Sequence, residues 1–305
     1  METINGKLST VFERAEIGRR APHAPARETA FGRPRDFLDN HFVYAVISAR
    51  ARGLALGINM NPDRLCNFNC AYCEVDRSAA PSAPKLNVDA MATELHRTIE
   101  FVQQGKLREL PAYCALPDEL LQLRHVALSG DGEPTLAPDF AGAVESTVGI
   151  RALGRFPFFK IVLMTNAAGL ERTDVQKGLE HFTKSDEIWV KLDGGTQEFL
   201  DRVNRPKTSL EKTLQNILAL ARRRPIVVQS LFAMINGEEP AYGEIRQYAQ
   251  RLRELKMDGA QISLVQVYSA ARPMSRAECR HLPLKTLSFI AQTVRNVAGL
   301  KAEVF

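Results

Sequence analysis

Three cysteines lie within one short stretch of the chain, Cys66, Cys70 and Cys73, in the spacing C-x3-C-x2-C. Thiolate sulfur is a ligand that Zn²⁺, Cu⁺ and iron–sulfur clusters prefer. Structural zinc sites close with four protein ligands, often arranged as separated pairs. The two other cysteines, Cys114 and Cys279, are isolated in the sequence. The stretch therefore supplies three ligands and leaves one metal position open for a substrate or cosubstrate.

The residues alone leave three interpretations of this stretch: an iron–sulfur cluster, a zinc knuckle, or reduced buried thiols without a metal. A glycine-rich acidic motif, Gly130-Asp131-Gly132-Glu133, follows one strand–helix unit later. The combination favours the cluster. Five cysteines, an odd number with three clustered, fit metal binding in a reducing compartment better than a disulfide framework. We therefore expect a cytoplasmic protein.

The cysteine stretch resembles the cluster loop of the radical S-adenosylmethionine (SAM) superfamily, which also has an aromatic residue, here Tyr72, before the last cysteine. The segments 47–59, 130–136 and 202–206 are similar to those of one subgroup, the iron–sulfur oxidoreductases related to wyosine-synthesising tRNA enzymes. The likeness extends from about Phe42 to Arg272, and residues 1–40 fall outside it.

This resemblance implies two cofactors, a [4Fe-4S] cluster and SAM. It implies that Cys66, Cys70 and Cys73 bind three irons of the cluster and that SAM chelates the fourth. The backbone of the glycine-rich motif and Glu133 would hold the SAM ammonium, since a cation needs acceptors. The expected cofactor contacts are Tyr72, Gly130, Asp131, Gly132, Glu133, Asn166 and Asp193.

Strand-like and helix-like patterns alternate after an initial hairpin of residues 42–47 and 54–60. Six βα units are expected, and this alternation predicts right-handed crossovers and a parallel sheet. The resemblance implies an α/β fold, a partial (β/α)6 TIM-like barrel of radical SAM type with an N-terminal extension. We expect a partly irregular arm over residues 1–41 and the core domain over 42–305. The later strands are predicted at 125–129, 160–165, 187–191, 226–235 and 261–267.

Polar residues follow the carboxyl ends of successive predicted strands, the edge that carries active sites in such folds. Asn166 is either a turn residue or a SAM contact. Lys191 shares a strand face with Trp189, and in the lumen it could bind a carboxylate or phosphate of the substrate. Arg205 and Arg272 each precede a proline and could clamp an anion, although a surface salt bridge is the commoner fate of arginine. These three basic residues are the substrate-side candidates.

Several other residues are expected to be structural. The Arg- and Pro-rich segment 18–35 fits a surface arm better than a phosphate-binding one. The role of Arg50 and Arg52, expected at the end of the barrel opposite the cysteines, stays open. The remaining expectations are a helix-end role for Arg222–Arg224, a solvated helix face for Glu244 and Arg251, and a buried Cys114.

Bulk composition excludes several protein classes. Of the 305 residues, 45% are hydrophobic and 25% charged, which excludes a disordered or fibrous chain. The longest apolar stretches are only strand-sized, so neither export nor membrane spanning is expected. The net charge of +5 suits RNA or an acidic electron-donor protein equally. We expect a monomer.

Two functions follow from these observations. The leading hypothesis is a radical SAM enzyme that reductively cleaves SAM and abstracts hydrogen from its substrate, with a flavodoxin or ferredoxin-type electron donor. Wyosine-synthesising enzymes are understood to carry a second cluster held by N-terminal cysteines, but no cysteine precedes Cys66. A small molecule or peptide is therefore as compatible a substrate as a tRNA base. The alternative is a non-catalytic iron–sulfur or zinc-binding RNA-interaction module.

Overall fold

The computed structural model describes residues 29–32, 37–75, 77, 85–270, 276 and 278–305. Most of the predicted N-terminal arm therefore lies outside the described residues. The described part of that segment packs on the core, because Ala30 and Phe37 are buried. The Ile47 amide also donates to the Ala30 carbonyl at 2.7 Å. At least this part of the segment belongs structurally to the core.

An eight-stranded sheet is the framework of the described chain, and a two-stranded sheet lies beside it. The strands are β1 Val43–Ser48, β2 Gly53–Asn59, β3 Leu123–Ser129, β4 Lys160–Thr165, β5 Glu187–Lys191, β6 Ile226–Leu231, β7 Ala233–Ile235, β8 Ile262–Tyr268, β9 Cys279–His281 and β10 Ala302–Val304. The large sheet has the order β1-β2-β3-β4-β5-β6-β8-β10. Only β1 is antiparallel to its neighbour, and all other pairs in this sheet are parallel.

Helices connect the parallel strands, as the alternating pattern predicts. They are α1 Val88–Gln103, α2 Asp118–Leu121, α3 Phe140–Ala152, α4 Thr173–Glu180, α5 Gln197–Val203, α6 Leu210–Ala221, α7 Tyr242–Met257 and α8 Leu284–Ala298. Side chains that accept an amide hydrogen bond begin several of them, including Asn87, Thr196 and Ser209. Among the described residues, no helix is both long and apolar enough to cross a lipid bilayer.

One predicted strand differs from the structure. The apolar run 226–235 forms two strands, because the chain leaves the large sheet after Leu231. The amide of Phe232 still donates to the Tyr268 carbonyl at 2.9 Å. Residues 233–235 then pair with 279–281 in the separate antiparallel sheet. Hydrophobicity alone does not show where a strand changes partner, so the sequence predicts one continuous strand.

The sheet curls so that its two ends approach each other. The Arg52 side chain, in the β1–β2 turn, forms an ion pair of 3.0 Å with Glu303 in the last strand, β10. Nearby, the Arg50 guanidinium stacks over the Tyr268 ring of β8, 4.2 Å from the ring centroid. Seven strands of this curled sheet run parallel, and a helix follows each of the first six, which confirms the predicted partial (β/α)6 barrel.

Alternate strand residues face opposite sides of this curled sheet. Val190 and Val228 belong to the large core beneath the helices. Their neighbours on the other face form a separate apolar group, which we call the lumen cluster. It consists of Val162, Trp189 and Val227, with the partly buried Met164 and Leu264. The middle of the lumen face is thus apolar on these strands, and polar side chains lie towards the strand ends, including the Lys160–Glu187 ion pair at the amino ends of β4 and β5.

Candidate functional site

The cysteine loop and the glycine-rich motif meet at the carboxyl edge of the sheet, after β2 and β3. Asn59 closes β2, and its side-chain oxygen accepts the Asp131 amide at 2.9 Å while its nitrogen donates to the Asp131 carboxylate at 3.0 Å. The Glu133 amide donates to the Leu65 carbonyl at 3.0 Å. A Cβ added to Gly132 would lie 1.9 Å from that Leu65 oxygen. The close approach of the two loops therefore requires glycine at this position.

The cysteine loop is also bound to a distant segment, residues 203–207, which follows α5. Backbone hydrogen bonds join the Ala71 amide to the Val203 carbonyl at 2.7 Å and the Asn69 amide to the Asn204 carbonyl at 3.0 Å. The Lys207 amide donates to the Asn67 carbonyl at 3.0 Å. These bonds run along both sides of the loop and fix its shape, although the loop has no regular secondary structure of its own.

All three cysteines of the loop are reduced, partly exposed, and supplied with a hydrogen-bond donor. Burial raises the pKa of the Cys66 thiol to about 12 and also raises the pKa of the Cys70 thiol. Because metal-binding sulfur is deprotonated, loading these thiols with a metal must release protons. The donors are the Phe68 backbone amide to Cys66 at 3.4 Å, the Asn204 side-chain nitrogen to Cys70 at 3.5 Å, and the Arg77 guanidinium to Cys73 at 3.0 Å.

Within the described ranges, no three His, Cys, Asp or Glu side chains converge where a single metal ion could be held. A four-iron cluster does not require such convergence, because each thiolate binds a different iron. Donors to sulfur are the contacts that tune such clusters. The donor set of the loop therefore fits an iron–sulfur cluster.

Glu133 lies at the centre of a buried hydrogen-bond group and is only 3% exposed. One carboxylate oxygen accepts the Thr135 amide at 3.1 Å, the Thr135 hydroxyl at 2.6 Å and the Thr165 hydroxyl. The other oxygen accepts the Asn166 amide at 2.7 Å. Burial raises the pKa of this carboxyl, while these four donors act in the opposite direction. Glu133 thus joins the ends of β3 and β4.

Asn166, at the end of β4, connects this group to the cysteine loop. Its side-chain nitrogen donates to the Asn67 side chain at 2.8 Å, and its side-chain oxygen accepts the Ala168 amide at 3.0 Å. The side chain therefore closes a turn and at the same time contacts the loop. The turn that the sequence predicts is thus present, and the SAM contact of Asn166 stays a prediction.

Tyr72 and Asp193, both predicted cofactor contacts, are hydrogen-bonded to each other. The Tyr72 hydroxyl donates to one Asp193 oxygen, and the Asn204 side chain donates to the same oxygen at 2.8 Å and to the Tyr72 hydroxyl at 2.9 Å. The other Asp193 oxygen accepts the Leu231 amide at 2.8 Å. Asp193 is 2% exposed, so it holds the cysteine loop against the ends of β5 and β6.

Asn204 was not selected from the sequence as a site residue. The signal was present, because the segment 202–206 is one of those that carry the family resemblance. The residue selected from that segment was Arg205, as a candidate to bind an anion of the substrate. In the structure its guanidinium forms an ion pair of 2.8 Å with Glu278. The third substrate-side candidate, Arg272, lies outside the described residues.

Lys191 shares the strand face of Trp189, as the alternation predicts, and the structure shows that this face is the lumen. Its ammonium nitrogen is 3.1 Å from the Tyr268 hydroxyl, 3.3 Å from Asp193 and 5.1 Å from the centre of the Tyr72 ring. Arg50 stacks on the same Tyr268 ring. Arg50 lies in the β1–β2 turn, at the end of β2 opposite the cysteine loop. The curl of the sheet nevertheless brings its side chain to Tyr268, at the carboxyl end of β8.

Two expectations about other residues were wrong. Glu244 is buried and not part of a solvated face, because its carboxylate accepts the Gly195 amide at 2.5 Å and the Thr196 hydroxyl at 2.6 Å. It thereby fixes the turn that follows Asp193. Cys114 is exposed and not buried, since the connection that carries it runs over the surface. Arg224 donates to the Thr183 and Asp186 carbonyls at 3.0 Å, which agrees with a structural role.

Comparison with known proteins identifies related sequences. The radical SAM superfamily model matches residues 60–249, more than half of the chain. A UPF0026 protein of Synechocystis sp. is 30% identical over 178 residues, which cover 58% of this chain and 56% of the relative. A UPF0026 protein of Methanocaldococcus jannaschii is 26% identical over 178 residues, 58% of this chain and 48% of the relative. The chain thus spans about half the length of these curated relatives.

Solved structures share the fold. Streptococcus suis SuiB bound to S-adenosylmethionine matches with a TM-score of 0.55 and 14% identity, over 84% of this chain and 52% of SuiB. TYW1 with a lysine-pyruvate adduct bound matches with a TM-score of 0.54 and 15% identity, over 84% of both chains. The chain therefore belongs to the radical SAM superfamily, whose enzymes use a [4Fe-4S] cluster and SAM.

Proposed function

We propose that Cys66, Cys70 and Cys73 hold a [4Fe-4S] cluster at which this enzyme cleaves SAM reductively, and that it abstracts hydrogen from a substrate bound in the lumen. The observation that carries the proposal is the arrangement of the three sulfurs. They lie on one loop at the carboxyl edge of the barrel, and each accepts an N–H donor. Such donors stabilise negative charge on thiolate sulfur.

When bound, the cluster would supply the electron that breaks the SAM sulfonium and yields a 5′-deoxyadenosyl radical. The chain's own contribution is to place and shield these groups. Arg77, Asn204 and the Phe68 amide orient the sulfurs. The Tyr72–Asp193 contact keeps the loop closed on the lumen side. The apolar lumen cluster keeps water from the floor of the site.

The glycine-rich motif would contact the methionine end of SAM mainly through its backbone. The bonding of Glu133 supports backbone contacts to SAM, because its carboxylate already accepts four hydrogen bonds from N–H and O–H donors. A further ammonium would have to compete with those donors in a site that is 3% exposed. Glu133 therefore holds the motif in position. The Asp131 carbonyl already accepts from Arg77, so the other backbone carbonyl groups of the motif are left to accept the ammonium.

The fold does not select the substrate class. SuiB was solved with a precursor peptide, and TYW1 with a lysine-pyruvate adduct, on the same scaffold. A small molecule, a peptide and an RNA base therefore remain the substrate classes for this chain. The net charge of +5 suits an acidic electron donor of the flavodoxin or ferredoxin type.

The test is anaerobic reconstitution with iron and sulfide, followed by dithionite and SAM. We expect about four irons per chain, the content of one such cluster, together with 5′-deoxyadenosine and methionine as products. Alanine at Cys66, Cys70 or Cys73 should abolish both iron binding and SAM cleavage. Cys114→Ala is the matched control, because Cys114 is exposed on another connection, and it should behave like the wild type.

Other outcomes would contradict the proposal. A protein that binds the irons but never cleaves SAM is not a radical SAM enzyme in the proposed sense. Binding of a single zinc would favour the non-catalytic metal-binding module. RNA binding is tested separately by its salt dependence, since phosphate contacts release counterions and give a steep slope. No affinity for RNA at low salt would exclude the RNA substrate and the RNA-binding module together.

A further inference from the structure

A row of polar side chains crosses the lumen face above the lumen cluster. Lys191, Gln229 and Gln266 lie beside one another on β5, β6 and β8, in the register Lys191↔Gln229 and Gln229↔Gln266. The Gln229 side-chain nitrogen donates to the Gln266 side-chain oxygen at 2.8 Å, and both glutamines are buried. Strand alternation puts this row on the same face as Trp189 and Val227. The row is therefore a polar layer on an apolar floor.

Two cations converge on Tyr268, which lies at the end of this layer. The Lys191 ammonium is 3.1 Å from its hydroxyl and 5.4 Å from its ring centre. The Arg50 guanidinium carbon is 4.2 Å from the same ring centre. One phenol, on the lumen face of β8, therefore contacts both charges.

The nearby acid neutralises only one of these cations. Asp193 lies 3.3 Å from Lys191, and its oxygens also accept hydrogen bonds from Tyr72, Asn204 and the Leu231 amide. In the part of the chain that the structure describes, no carboxylate lies within ion-pair distance of Arg50 and no acceptor is hydrogen-bonded to it. The layer therefore holds one uncompensated positive charge with unused N–H donors.

A guanidinium with unused donors fits a planar or tetrahedral oxyanion, which it can bind through two parallel hydrogen bonds. We propose that the substrate of this enzyme carries a carboxylate or phosphate group that Arg50 and Lys191 bind beside Tyr268. This inference rests on the proposed function, because it assigns the substrate of the same site. Lys191 also lies 5.1 Å from the Tyr72 ring, so an anchored substrate would adjoin the cysteine loop.

The test measures anion binding directly, without turnover. The reconstituted protein is titrated with inorganic phosphate and, separately, with acetate, by calorimetry at constant ionic strength maintained with chloride. We expect saturable binding of at least one of these anions. Arg50→Gln should weaken it by about tenfold or more, as loss of a charge-assisted contact implies. Arg50→Lys keeps the charge but loses the planar fork, and it should weaken binding less.

Arg246→Gln is the matched control, because Arg246 also stacks on a tyrosine, Tyr242, at 5.9 Å, but on the exposed surface. It should leave anion binding unchanged. A preference for phosphate or for acetate distinguishes the two substrate chemistries. Absence of saturable binding in the wild type, or equal binding in Arg50→Gln, would overturn the proposal and make the stacking purely structural.

The two proposals fail independently in these measurements. Formation of 5′-deoxyadenosine by the wild type reports the proposed radical chemistry, whereas phosphate and acetate binding reports the anion site. SAM cleavage without anion binding would support the proposed radical chemistry and contradict the proposal of an anionic substrate. Anion binding without SAM cleavage would support the anion site and contradict the proposed radical chemistry.

Discussion

The Arg77 guanidinium donates to the Cys73 sulfur at 3.0 Å and, through its other terminal nitrogen, to the Asp131 carbonyl at 2.6 Å. One side chain thus joins the third cysteine to the glycine-rich motif. Burial lowers the pKa of Arg77, but the adjacent cysteine sulfurs raise it, and the net direction is upward. Arg77 is therefore a permanent positive charge beside the thiols.

Removing this charge should make the cluster harder to reduce. Reduction adds negative charge, which Arg77 stabilises, so Arg77→Gln should lower the reduction potential. Loss of one hydrogen bond of about 1.4 kcal/mol corresponds to about 60 mV for one electron. The measurement is a redox titration followed by electron paramagnetic resonance. Arg52→Gln, which changes an arginine paired with Glu303, is the control, and an unchanged potential in Arg77→Gln would refute the assignment.

Gly132→Ala should separate the glycine-rich motif from the cysteine loop. Its new Cβ would lie 1.9 Å from the Leu65 carbonyl oxygen, so the backbone must shift. We expect a loss of about 2 kcal/mol or more in the free energy of unfolding and a marked fall in iron bound per chain. Gly149→Ala has open space around it within α3 and should instead stabilise the protein by about 0.5–1 kcal/mol. Wild-type iron content in Gly132→Ala would contradict the role of this contact.

Glu133→Gln should destabilise the end of β4. The amide replaces an acceptor by a donor, which then faces the donors of Thr135, Thr165 or Asn166. Because the group is buried, we expect a loss of about 1–3 kcal/mol in the free energy of unfolding, measured by urea denaturation. Glu145→Gln, on an exposed position of α3, should have no measurable effect. Equal stability of both variants would show that the hydrogen-bond group does not stabilise the fold.

His125 should make stability depend on pH in the acidic range. Burial, with the positive charges of Lys160 and Arg50, lowers the pKa of His125 from 6.5 to about 3. Between these values the unfolded chain binds a proton that the folded chain does not. Its contribution to stability is therefore complete above pH 6.5 and is lost as the pH falls, by up to about 1.4 kcal/mol per pH unit.

The measurement for His125 is urea denaturation of the wild type and His125→Phe at several pH values between 7 and 4, a range that follows from the shifted pKa. The phenylalanine variant should lose less stability on acidification, because it has no proton to bind. His181→Gln, at an exposed position, should keep the wild-type slope. Identical slopes in the wild type and His125→Phe would show that the buried imidazole is not responsible.

Sequence patterns predicted the features that depend on local chemistry and on strand order. The hairpin, the parallel strands and the placement of Cys66, Asn166 and Asp193 at one sheet edge follow from hydrophobic periodicity and from the polar residues that end each strand. Alternation also predicted that Lys191 shares a strand face with Trp189, although it did not show which face is the lumen. These predictions required no knowledge of which residues meet across the barrel.

Contacts between distant segments could not be predicted in this way. Asn204 meets Cys70 and Tyr72 only because the chain after α5 returns to the cysteine loop. Arg50 reaches Tyr268 only because the sheet curls, and a linear reading of the hairpin places it at the opposite end. Glu244 looks like a solvent-facing helix residue until the turn at Gly195 is packed against it. Each case depends on tertiary geometry that local patterns do not encode.

The bonding of the cysteine loop to residues 203–207 has a consequence for biosynthesis. Cys70 and its partner Asn204 are 134 residues apart. The loop therefore cannot take its final shape until that later segment has left the ribosome. A short peptide carrying only the three cysteines would lack these partners, so it would be a poor mimic of the loop. Under the proposed function, a cluster inserted into the shaped loop would therefore follow the synthesis of residues 203–207.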